Sequence, residues 1–267
     1  MSRLAWGTGG GPGQDYHPPF APPALTLPVM RFPATRQSVL QRVRSDDTVV
    51  RRDAFGDLAA GYWKPSYHYV RLHWHLAPEA AEDAVQAFFT TAFEKQYVER
   101  YDPAKSRFRT FLRVCLDRFV QNLQKSATAA KRGGTATVLS LDFPGAEREL
   151  DAMAAADLTD LDRFFHDETV RCLFARAVES LKAACARDGR DTLFRVFEAH
   201  DLHPAADASY ASVARDLSLT VSQVTNALHA ARRQFREIVL AHLRAISATD
   251  EEYQRDAREL FGFDVSP

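Results

Sequence analysis

The chain has 267 residues, 46% of them hydrophobic and 26% charged, with a formal net charge of −1. This is the composition of a water-soluble globular protein, long enough for two small domains and too long for one ordinary helical bundle. Near-neutrality excludes a uniformly basic nucleic-acid binder but not one whose charges are segregated along the chain. No apolar run approaches the ~20 residues that cross a bilayer, so no membrane insertion is expected.

Residues 1–31 are rich in proline and glycine and read as a disordered tail rather than a secretion signal. A first helical domain is expected over 32–126. Within it, Phe55, Leu58, Ala59 and Tyr62 share one helical side, Pro65 is expected to break or bend the chain, and an aromatic-rich helix follows over 67–74. His68, His73 and His75 have no acidic or cysteine partner at a supporting spacing, so no metal site is expected. Cys115, Cys172 and Cys185 show no pairing logic, which fits a reducing, cytoplasmic setting.

The stretch 81–97 is the most regular amphipathic segment. Ala81, Ala84, Val85, Phe88, Phe89, Ala92 and Phe93 form one stripe, and Asp83, Gln86, Thr90 and Glu94 lie opposite. Pro78 and Glu79 suit a helix's first turn. After a turn over 101–106, residues 107–125 read as a helix with Phe108, Phe111, Leu112, Cys115, Phe119 and Leu123 inward. Thr110, Arg113, Asp117, Gln121 and Gln124 face outward, flanked by Arg107, Arg109 and Arg118.

Residues 127–166 carry Lys131-Arg132-Gly133-Gly134 and then a run of acids, including Asp142, Glu147, Glu149, Asp160 and Asp162. They read as an acidic linker. Helical patterns resume over 168–186 and 191–200 and continue at 209–217 and 221–243, within a second domain over 167–246. No alternating strand pattern appears. The expected fold is therefore all-α: two helical domains joined by an acidic linker, the second containing a helix-turn-helix.

The helix-turn-helix reading rests on Ser209 as N-cap of the first helix and on the capping box of Thr220 and Gln223 at the second. Val213, Ala214, Leu217, Leu219, Val224, Leu228, Ala231 and Phe235 supply the seam. The outward face of the second helix is Ser222, Asn226, His229, Arg233 and Arg236, edged by Thr225 and Arg232, which suits a DNA major groove. Ser218 occupies the turn position where glycine is commonest. A C-terminal extension over 247–267 begins with a second capping box, Thr249 to Glu252, and carries Tyr253, Ala257, Leu260 and Phe261 as an apolar edge. It reads as a helix packing back on the second domain, or as an autoregulatory arm. No nucleophile–base pair, metal cluster or phosphate-cradling loop appears, so neither catalytic residues nor a cofactor are expected.

Taken in order, three stretches resemble a bacterial RNA polymerase sigma factor of the extracytoplasmic-function group. They are Ala81-Glu82-Asp83-Ala84-Val85-Gln86-Ala87-Phe88-Phe89, then Asp102-Pro103 through Arg107-Phe108-Arg109-Thr110-Phe111-Leu112, and Ser209-Tyr210-Ala211-Ser212-Val213-Ala214 through Leu228-His229-Ala230-Ala231-Arg232-Arg233. Thr35-Arg36, Tyr62-Trp63-Lys64-Pro65 and Lys-Arg-Gly-Gly resemble a longer-chain branch of that group. The resemblance implies docking on core RNA polymerase through Asp83, Gln86 and Thr90. It implies capture of the −10 promoter element by Arg107, Arg109, Thr110 and Arg113. It further implies reading of the −35 element by Ser222, Thr225, Asn226, His229, Arg232 and Arg233. Core polymerase and promoter DNA are the implied partners, and an anti-sigma factor is a further candidate. Two positions depart from the family pattern: Phe111 stands where Trp is usual, and Asp117-Arg118 where an Asn is often found. On the DNA side Asp117 would repel phosphate unless it reads a cytosine amine or pairs with Arg113 at i−4. The alternative readings are a stand-alone helix-turn-helix regulator and a sigma-like decoy without initiation activity.

Overall fold

Asp47 starts the helix on which the molecule is built, its carboxylate accepting hydrogen bonds from the backbone N–H groups of Val49 and Val50. That helix, α2 (Thr48–His73), follows a short α1 (Val39–Val43) and runs for 26 residues, about 39 Å. The computed structural model describes residues 38–127, 141–152, 158–204 and 209–262, and all of its regular elements are helical. Of the expected break or bend, Pro65 does not break α2, which runs on through it to His73. Six consecutive residues, Pro65, Ser66, Tyr67, His68, Tyr69 and Val70, are buried. Packing on every side holds the helix through a position that would break an exposed one.

The amphipathic stretch is α3 (Pro78–Glu94), whose Val85, Phe88 and Phe89 are buried against α2 and the following helices. A 3₁₀ turn (Tyr97–Arg100) leads to α4 (Phe108–Ala127). On α4 the deepest residues are Phe108, Leu112, Leu116 and Val120, with Phe111, Cys115 and Phe119 partly buried beside them. The expected inward stripe was therefore rotated slightly from the observed one.

The remaining helices are α5 (Phe143–Ala152), α6 (Leu161–Arg187), α7 (Asp191–Phe197), α8 (Tyr210–Asp216), α9 (Val221–Ile246) and α10 (Asp250–Phe261), with a single π turn (Glu198–Leu202) after α7. The expectation of a linker over 127–166 needs correcting for its described part. Asp142 accepts from the N–H of Gly145 and opens α5, which buries Phe143 and Ala146 against α2. Phe143 sits edge-on to both Trp63 and Tyr67, with centroids 5.2 Å away in each case. The acids expected to keep this segment in water are internal partners instead. Glu147 is ion-paired with Arg71, and Glu149 lies 2.7 Å from Lys64 and 3.0 Å from Arg171. The Lys131–Gly134 motif, Thr35-Arg36 and the N-terminal tail lie outside the described residues.

Nor do the described residues separate into the two expected domains. They fall within one compact unit, with α2 from the first half packed on α6 and α9 from the second. At Gly61 of α2 a Cβ would meet Ile246 Cγ2 of α9 at 2.3 Å. Only glycine admits the end of α9 at this distance.

Candidate nucleic-acid interface

The α8–turn–α9 hairpin is closed by local chemistry. Ser209 caps α8 and Thr220 caps α9, each in a reciprocal capping box. Between them the chain makes a Schellman turn: Leu219 N–H donates to Ala214 O (2.7 Å) and Ser218 N–H to Arg215 O (3.2 Å). Ser218 adopts the left-handed conformation, with φ of +56°, that the turn requires. Beneath the hairpin lies a small core of Val196, Val213, Ala214, Val224 and Leu228, flanked by Leu217 and Leu219.

With Val224, Leu228, Ala231 and Phe235 anchoring α9, the expected outer residues Ser222, Thr225, Asn226, His229 and Arg233 are all exposed. Thr225 donates its hydroxyl hydrogen bond to Val221 O (2.9 Å). Arg232 is different. Its guanidinium grips Asp201 through Nε (2.8 Å) and Nη2 (2.7 Å), so it braces α9 against the π turn after α7. The Asp201 hydrogen bond raises the Arg232 pKa, against the opposing effect of burial. Sequence reading also passed over Val221, which is 48% exposed at the first position of α9. An apolar residue in water there is suited to a thymine methyl group.

The expected −10 residues occupy a very different environment. Phe108 N–H, at the start of α4, donates to Glu252 Oε1 of α10 (2.8 Å). Arg109 is 8% exposed and lies 2.9 Å from Asp256. Arg107 reaches Glu259 at 3.2 Å and Asp256 at 3.7 Å. Arg113 bridges Asp162 of α6 (2.9 Å) and Asp117 (2.8 Å). Of the four, only Thr110 is without a charged partner among the described residues, and it is partly exposed. Arg107, Arg109 and Arg113 are thus not an open basic face in this structure; acids from elsewhere in the chain occupy them. Asp117 pairs with Arg113 and also accepts from Tyr69 OH (2.9 Å) and Trp74 Nε1 (3.0 Å), so it faces α2 rather than solvent.

On α3 the polar side is wet. Asp83 is exposed, and Gln86 and Thr90 are partly exposed, with Gln86 donating to Glu82 (3.3 Å).

One buried cluster gathers residues a hundred positions apart. His68 Nδ1 lies 2.5 Å from Glu168 Oε1, and Cys172 Sγ lies 3.3 Å from the same oxygen, so that the three donors fall within 4.8 Å of one another. The residue types are those of a zinc site, but Arg171 fills the arrangement. It contacts both oxygens of Glu168 and reaches within 3.7 Å of the sulfur. A guanidinium in that position repels a second cation. Burial, followed by Glu168, pushes the Cys172 thiol up, away from the thiolate a metal needs. The group is an ion-pair network joining α2 to α6.

No family model matches the chain, and no curated protein or solved structure matches it.

Proposed function

We propose that the protein is a cytoplasmic RNA polymerase sigma factor: it binds core enzyme and directs it to promoters, with α8 and α9 acting as a helix-turn-helix on the upstream element. The observation that carries this reading is the α9 face. Ser222, Thr225, Asn226, His229 and Arg233 are exposed together on a helix whose start is rigidly capped, beside a short left-handed turn. Such a face presents hydroxyl, amide and guanidinium groups to base edges and phosphates. The wet side of α3, with Asp83, Gln86 and Thr90, supplies the polymerase-docking surface in this reading.

The test is capture of the full chain by bacterial core RNA polymerase. Wild type should be retained, and the double variant Asp83→Arg/Gln86→Ala should lose at least tenfold in apparent affinity. No capture, or capture untouched by the double change, sinks the sigma reading. One observation favours a second reading, a stand-alone helix-turn-helix regulator: the α9 face is open while Arg107, Arg109 and Arg113 are occupied. That reading expects duplex DNA binding with no polymerase capture.

A further inference from the structure

We infer that α10 is an internal occupant of the basic site at the start of α4, and that single-stranded DNA binds Arg107 and Arg109 only when α10 leaves. The inference rests on the sigma reading and specifies how that site is regulated.

Glu252, Asp256 and Glu259 recur at i, i+4 and i+7, which places three carboxylates along one side of α10 over roughly 10 Å. That side faces the first turn of α4. Glu252 takes the free N–H of Phe108, Asp256 takes Arg109, and Glu259 and Asp256 share Arg107. An anionic row that engages a helix N-terminus and two guanidiniums does what a sugar–phosphate backbone would do there. The two cannot occupy the site together.

The contact is also built to come apart. The buried residues of α10 are two acids, Glu252 and Asp256, and Ala257, while Tyr253, Leu260 and Phe261 pack partly buried against the core. Charge thus supplies a large part of the hold on α10, and a polyanion competes for the same guanidiniums and the same N–H. Asp256 Oδ1 is buried without a hydrogen-bond partner, with Arg107 Nη1 3.7 Å away. A buried carboxylate oxygen left in that condition favours release. The expected capping box of Thr249 is likewise incomplete. Thr249 accepts from Glu252 N–H at 3.2 Å, but the Glu252 carboxylate is spent on Phe108 and Ala248 N–H instead.

The experiment measures binding of a fluorescein-labelled, mixed-sequence 20-nucleotide single strand by anisotropy. It uses the full chain, wild type and a Glu252→Gln/Asp256→Asn/Glu259→Gln variant, across a salt series. The variant should bind at least tenfold more tightly, with a log–log salt slope steeper by about 1.4, two phosphates at ~0.7 each. Adding Arg107→Gln and Arg109→Gln to that variant should remove the gain. Unchanged affinity, or a gain that survives loss of both arginines, overturns the inference. Hydrogen exchange on unmodified protein guards against a misfolded variant: excess single strand should speed exchange within 250–261, and unaltered exchange there at saturation also overturns it. The two readings fail separately. Polymerase capture with no α10 effect sinks only the inference, whereas a tenfold gain without polymerase capture sinks only the sigma reading.

Discussion

Replacing Glu168 by Gln tests whether the His68–Glu168–Arg171 network fastens α2 to α6. Glu168 is 3% exposed and accepts from His68 Nδ1 at 2.5 Å and from Arg171 Nη2 at 2.7 Å. Burial works to raise its pKa, but the hydrogen bonds from His68 and Arg171 outweigh burial and hold the carboxyl down at about 2, against an ordinary 4.5. Because the folded-state value is depressed, the stabilisation is fully present above about pH 4.5 and is lost as pH falls through about 2. A carboxyl held at about 2 rather than 4.5 corresponds to about 3 kcal/mol. Gln keeps the shape and one acceptor but no charge, so Glu168→Gln should cost about 3 kcal/mol at pH 7, in the range for breaking a buried pair. Urea unfolding of both proteins from pH 7 to pH 2 measures this. The gap should stay constant down to about pH 5 and then close toward pH 2, where wild-type Glu168 is itself half neutral. A cost below about 1 kcal/mol at pH 7, or a gap that does not narrow in acid, would refute the reasoning.

Three further outcomes follow from local geometry. Ser218→Gly should stabilise the chain by about 0.5–1 kcal/mol, since φ of +56° strains any side chain; a raised urea midpoint at unchanged slope checks it. Gly61→Ala should lower the thermal midpoint by the equivalent of about 1–3 kcal/mol, because the added methyl meets Ile246 Cγ2 at 2.3 Å; an unchanged midpoint would mean that α2 and α9 do not pack as described. Arg232 and Arg233 should separate cleanly. Arg232→Ala should cost about 1–2 kcal/mol of stability by stranding Asp201, whereas Arg233→Ala should leave stability intact and flatten the salt dependence of duplex DNA binding by about 0.9. Denaturation and binding titrations on the pair make the comparison.

The contrast between those two neighbouring arginines marks how far the sequence reaches. Features set within a few residues of chain were legible without a structure. The apolar stripe of α3 apart from Phe93, which is exposed, the Ser209 and Thr220 caps, the seam of Val224, Leu228, Ala231 and Phe235, and the exposure of Ser222, Asn226 and Arg233 all depend on helical spacing and local hydrogen bonds. The all-helical class of the described residues was legible for the same reason.

What tertiary structure decided was which charge meets which. Arg232 found Asp201 across 31 positions, Arg113 found Asp162 across 49, and Arg109 found Asp256 across 147. Sequence shows that a side chain is charged and faces away from its own helix's apolar stripe, but a second helix can cover that face. The acidic segment read as a linker was misjudged in the same way, because Glu147 and Glu149 meet Arg71, Lys64 and Arg171 only once α5 lies on α2 and α6. Local periodicity determined the helices and their inner faces. Long-range charge pairing, which leaves no periodic trace in the chain, decided which outer faces stayed open.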